Sequence, residues 1–235
     1  LTDLSARWDT VIKKTLKASE QERADVAAAR LIWRDWQKTC DPARLIFLDE
    51  TGASTDMTRQ YGRCPVGERC YDHAPGSHKT MTFVAGLHLN GLLAPWCLDA
   101  PMNGAAFLVY VETQLCPALK PGDIVICDNL SSHKVAGVRE MIKDKGAEIL
   151  YLPPYSPDLN PIEQVFSKIK TLLRKAAERS FDALWTAIGS IIETIRPQLL
   201  TQHIRIDRLV CFLDVVIVPG KTSRRWSNQY GEISF

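Results

Sequence analysis

The chain has 235 residues, 46% of them hydrophobic and 24% charged, with a formal net charge of +2 at pH 7. Such a balance suits one large globular domain with a sizeable core, and a charge this small points to no partner by itself. No apolar run comes near the roughly 18 residues with which a helix crosses a bilayer, so no membrane-spanning helix is expected.

The first ten residues, LTDLSARWDT, lack the blocks of a signal peptide. Seven cysteines, at 40, 64, 70, 97, 116, 127 and 211, show no paired spacing, which predicts free thiols in a reducing cytosol. Ser19 to Glu22 fits a capping box, and the alanine-rich stretch up to Trp36 reads as a helix broken by Asp41-Pro42. Leu45 to Leu48 is a buried strand ending in Asp49-Glu50, and residues 51–79 read as loop or short edge strands. Residues 80–99 form a hairpin about Asn90-Gly91, a pair that favours a type I′ turn.

Asn103 to Cys116 predicts a helix, Asp123 to Cys127 a second buried strand ending in Asp128, and Ser132 to Lys145 a helix stopped by Gly146. Glu148 to Leu152 is a third strand. Residues 153–161 hold four prolines and cannot be regular. Helices follow over Pro161 to about Glu178, with Asn160 as its cap, and over Phe181 to Ile195, ended by Pro197. The order of elements predicts a mixed α/β sheet flanked by helices.

Two strands that end in acids and a helix that opens on one define a candidate site. If the strands are neighbours, Asp49 and Asp128 face one another, and a divalent cation with a preference for hard oxygens is the usual remedy for their repulsion. Glu163 lies 35 positions beyond Asp128 (163 − 128), at the end of a stiff loop that holds its helix to the sheet edge. Singly, each acid also fits a turn or a cap. Together they fit a site where two metals ~3.5–4 Å apart activate a water or hydroxyl against a phosphodiester.

The runs Leu48-Asp49-Glu50-Thr51-Gly52, Cys127-Asp128-Asn129-Leu130-Ser131-Ser132-His133-Lys134 and Leu152 to Glu163 resemble the catalytic core of bacterial insertion-sequence transposases related to mariner. Smaller pieces at Tyr61 to Pro65, Lys79-Thr80, Asn103-Gly104 with Phe107, and Val165 to Lys168 extend the likeness over roughly residues 15 to 196. The resemblance implies a ribonuclease-H-like fold and an Asp-Asp-Glu triad at Asp49, Asp128 and Glu163. It further implies Mg²⁺ or Mn²⁺ as cofactor, double-stranded DNA (transposon ends and target) as partner, a homodimer when active, and a bacterial cytoplasmic setting. Glu50, Asn129, His133 and Asn160 are expected to support the ligands without binding metal.

Lys134, Lys168, Lys170 and Arg174 are candidates for DNA phosphates. Glu163, Ser167, Lys170 and Arg174 share one helix face, which could equally be a solvated charged surface. The expected division is a helical linker at 1–40, the catalytic domain at 41–200 and a divergent tail at 201–235. The chain begins at Leu1 and supplies none of the family's helix-turn-helix modules, so a fragment is expected.

Other readings are weaker. A nucleotide hydrolase needs a Gly-Lys-Ser/Thr phosphate loop, whereas Gly62 to Gly67 runs on into Glu68-Arg69. Cys64, Cys70, His73 and His78 are spaced too widely at the first pair for an ordinary zinc site. A non-catalytic DNA-binding or dimerisation remnant, or a nuclease that cuts without joining, would retain the same fold.

Overall fold

The computed structural model describes residues 18–59 and 61–195. The expected helix stop at Pro197 and the tail at 201–235 lie outside them. A 3₁₀ turn at Ser19–Glu22 leads into α1 (Ala24–Thr39). The expected capping box is absent: Ser19 bonds to Glu20, and α1 starts after Arg23 without a side-chain cap. β1 (Leu45–Ser54), β2 (Thr80–His88) and β3 (Gly91–Leu98) follow as an antiparallel meander. Next come α2 (Gly104–Tyr110), a π-helical turn at Val111–Leu115 and α3 (Cys116–Ala118), running on as one rod. β4 (Ile124–Cys127), α4 (Val138–Asp144), β5 (Glu148–Tyr151), α5 (Ile162–Ala176) and α6 (Phe181–Thr194) complete the order.

The five strands form one sheet in the order β3-β2-β1-β4-β5, with β1, β4 and β5 parallel and β2 and β3 antiparallel. Successive residues of a strand face opposite sides, so β1 feeds two cores. Leu45 and Phe47 join Trp33 of α1, Phe166 and Ile169 of α5 and Leu184 and Ile188 of α6 on one face. Leu48 joins Phe107, Tyr110, Val138 and Ile142 on the other. Phe166 meets Phe83 edge-on, with centroids 5.8 Å apart.

Three further expectations change. β1 does not stop at Asp49 but runs five residues further, because residues 49–54 pair with β2 (Asp49 with Ala85, Ser54 with Thr80). The hairpin is not type I′: Asn90 is absent from the positive-φ residues and only Gly91 takes φ +129°, so the tight loop is Leu89-Asn90 with the left-handed residue after it. The helix expected from Ser132 shrinks to a 3₁₀ turn at Ser131–His133 and the short α4, separated by Gly137 at φ +93°.

Candidate active site

The parallel pairing of β1 and β4 ends at Leu48 opposite Cys127. Asp49 and Asp128 are therefore the first residues beyond that pair, side by side where the parallel pairing stops, Asp49 within β1 and Asp128 just past β4. Alternation gives Asp49 the same face as Leu45 and Phe47, the side covered by α5. Glu50 takes the opposite face. Glu163 sits in the first turn of α5, and all three acids line one groove of ≈450 Å³ together with Asn129, Leu130, Asn160 and residues 152–157.

Asp49 is only 8% exposed. Its Oδ1 accepts from the Glu50 amide at 2.8 Å and its Oδ2 from the Asn160 side-chain amide at 2.8 Å. Burial pushes its pKa up to about 7, and the charges of Glu163, Glu50 and Asp128 add to the rise. Asn160 thus does not cap α5; Pro161 occupies that place, without a side-chain cap. The other Asn160 atom, Oδ1, is buried without a partner.

His133 holds Asp128. It is 1% exposed, with its ring against Phe107 at 4.5 Å between centroids. Nδ1 lies 2.6 Å from Asp128 Oδ1 and Nε2 lies 3.0 Å from Glu50 Oε2. Burial works against the imidazolium, but the flanking Asp128 and Glu50 outweigh it and lift the pKa to about 9. Near neutral pH a buried cation therefore ties Glu50 of β1 to Asp128 just past β4. Asp128 also accepts from the Leu130 amide at 3.1 Å.

The basic candidates scatter. Lys134 is exposed, bonds to Asn129 Oδ1 and lies over the Tyr151 ring at 5.3 Å. Lys170 and Arg174 are half-buried on the α5 face that begins at Glu163, and a second groove along Glu163, Gln164 and Ser167 follows the same face. Helical geometry sets Lys168 about 140° round the helix from Glu163, away from that face. No sequence pattern pointed to Arg30, Ser156 and Asp158, yet Arg30 donates to both Ser156, on the groove wall, and Asp158.

Three hard-oxygen acids line one groove, and the charges of Glu163 and Asp128 are felt in the Asp49 pKa; this donor chemistry suits a divalent cation of the Mg²⁺ kind, but the three are spread along an open groove. Among the described residues no group of three or more His, Cys, Asp or Glu side chains is gathered closely enough to hold a metal ion. This applies to Cys64, Cys70, His73 and His78 too, where His78 instead pairs with Asp56 at 3.4 Å. The cysteines at 40, 64, 70, 97, 116 and 127 are all free, and among the described residues no helix is long and apolar enough to cross a membrane.

A mixed sheet in this order, with Asp49 within β1, Asp128 just past β4 and Glu163 in the first turn of a covering helix, is the architecture of a ribonuclease-H-like fold. The profile of the DDE superfamily endonuclease matches residues 44–185, and the chain belongs to that family. No curated protein sequence matches it. Among solved structures, the Mos1 transposase paired-end complex with left transposon end aligns at a TM-score of 0.67 and 16% identity, over 86% of this chain and 64% of that one. A pre-cleavage Mos1 transpososome aligns at 0.69 and 15% identity with the same coverage. The catalytic domain of Mos1 mariner transposase aligns at 0.56 and 15% identity, over 83% of this chain and 92% of that domain. The present chain therefore spans less than two thirds of the longer Mos1 chains. Mos1 paired-end complexes have been solved with Mn and with Mg.

Proposed function

We propose that this chain is the catalytic domain of a cut-and-paste DNA transposase, with Asp49, Asp128 and Glu163 as its triad. The observation that carries the reading is the shared groove of the three acids, with Asp49 buried enough to be pushed to about 7. Membership of the endonuclease family and the fold of the Mos1 catalytic domain support it. Asp49, Asp128 and Glu163 would hold Mg²⁺ or Mn²⁺. When bound, the metal would supply Lewis-acid activation of a water or a DNA 3′-hydroxyl and neutralise the leaving oxygen.

The chain's own residues do the positioning. Asn160 fixes the Asp49 carboxylate from the α5 side. His133 holds Asp128 and, through Glu50, couples it to β1. Lys134, Lys170 and Arg174 would take DNA phosphates on either side of the groove. The substrates are double-stranded transposon ends and target, and two ends to be cut imply a homodimer. A bacterial cytoplasm belongs to the same reading.

The test is nicking of a labelled duplex by the wild type and Asp128→Asn, with Mn²⁺ and with EDTA. Asp128→Asn keeps the side chain's shape and removes a full charge, so cleavage should fall by about a hundredfold or more. Equal rates in the two proteins, or cleavage that survives EDTA, would rule the triad out. Joining of a 3′-hydroxyl-ended donor strand separates a transposase from a nuclease that only cuts.

A further inference from the structure

We propose that Arg30 is a positioning residue for the acid groove, acting from α1 through the proline-rich loop. The inference rests on the metal-dependent reading above and assigns a role to a helix outside the matched family region, which begins at residue 44.

Arg30 is 8% exposed, unusual burial for an arginine. Its Nη1 donates to Ser156 Oγ at 2.7 Å and to Asp158 Oδ1 at 2.9 Å, and its Nη2 to Asp158 Oδ2 at 2.6 Å. Ser156 Oγ in turn donates to the Pro154 carbonyl at 3.0 Å. Gln21, one turn before α1, adds bonds from Nε2 to the Tyr155 carbonyl at 2.6 Å and to Asp158 Oδ1 at 3.3 Å. Every one of these contacts falls on residues 154–158.

That loop is the segment that delivers the site. Asp158 stands two residues before Asn160, which holds Asp49, and five before Glu163. Tyr155, on the groove wall, has φ +55°, a left-handed conformation that a bulky residue keeps only where its surroundings over-determine it. Gln21 takes the carbonyl of that strained residue, and Arg30 grips Ser156 and Asp158 just after it.

Docking α1 does not require this arginine. Val26 and Trp33 already bury the helix in the core. An ion pair whose Asp158 side chain is 48% exposed adds little net stability, but the arginine fork fixes geometry. Arg30 therefore sets where the loop sits, and with it Asn160 and Glu163. The lowered pKa of Asp158, where pairing with Arg30 overcomes the effect of burial, agrees with a formed pair.

The experiment compares the full chain with Arg30→Ala and Arg30→Lys, using Asp128→Asn as the control without metal binding. Hydrogen exchange is followed at residues 159–164, and Mn²⁺ binding is titrated by loss of the free-ion electron paramagnetic resonance signal. Lysine keeps the charge but cannot fork onto two partners. Arg30→Lys should thus melt close to the wild type, yet exchange faster at residues 159–164 and bind Mn²⁺ about tenfold more weakly. DNA cleavage should lose kcat with KM for DNA little changed.

Wild-type exchange and Mn²⁺ affinity in both variants would overturn the proposal. If Arg30→Ala fails to fold, Arg30→Lys decides by the same readouts. Wild-type protein that binds no Mn²⁺ would strike at the metal reading, and the exchange of residues 159–164 would still decide the clamp.

Discussion

Asp49 is an acid kept in surroundings that disfavour its charge, and this has a consequence for stability. Burial first, then the neighbouring carboxylates, raise its pKa to about 7 from the ordinary 3.8. Folding therefore favours the protonated form. The stabilisation is complete below the unfolded value and is lost as pH rises through the folded one, between about 4 and 7. At pH 8 without metal, the ionised carboxylate should cost on the order of a few kcal/mol. Asp49→Asn should accordingly raise the melting temperature of the metal-free protein at pH 8, gain little at pH 4, and lose the stabilisation that Mn²⁺ gives the wild type. A lower melting temperature for the variant at pH 8 would show that the carboxylate is not strained. The three acids were legible because each closes a short apolar run or opens a helix. Of their supports, Glu50, His133 and Asn160 were marked by the family resemblance and not by local pattern, since Asn160 taken alone reads as a cap; the Arg30 partnership with Ser156 spans 126 positions, beyond any local pattern.

Local rules located nearly every element, and they failed where pairing or one backbone angle outweighed composition. Residues 51–54, Thr-Gly-Ala-Ser, read as loop or short edge strand, yet they continue β1 and pair with β2 to its end. Residues 132–137 read as helix, yet Gly137 at φ +93° starts α4 late. The two asparagines that precede helices illustrate the same point. Asn103 is a true cap: its Oδ1 accepts from the Ala106 amide at 3.0 Å. Asn103→Ala should cost about 1 kcal/mol in denaturant unfolding and leave Mn²⁺ affinity unchanged. Asn160→Ala removes no cap; it frees Asp49 Oδ2 and should weaken Mn²⁺ binding instead. If Asn103→Ala weakens Mn²⁺ binding as much as Asn160→Ala does, the two roles have not been separated.

At the scale of the whole molecule, sheet order was beyond the sequence, because no local pattern says that β1 lies between β2 and β4. It is this order that makes Asp49 and Asp128 neighbours. The extent of the domain was hidden for a related reason. An alanine-rich helix ahead of the first strand reads as a linker, but Trp33 belongs to the core of Leu45, Phe47 and Phe166, and Arg30 reaches the groove loop. We therefore propose that the folding unit starts at or before α1. Deleting residues 1–40 removes the buried side chains of Val26 and Trp33, each worth about 1.5–3 kcal/mol. Losses of that size consume much of the roughly 5–15 kcal/mol that holds a domain together. Residues 41–235 should melt many degrees below the full chain, bind a dye that reports exposed apolar surface, and show faster exchange at residues 159–164. Removing residues 210–235, where the likeness to mariner-related transposases has ended, should leave melting and exchange as they are. Circular dichroism melts of the three proteins compare the two cuts directly. An N-terminal deletion that melts with the full chain would return α1 to the status of a linker, and a C-terminal one that unfolds the protein would make the tail part of the domain.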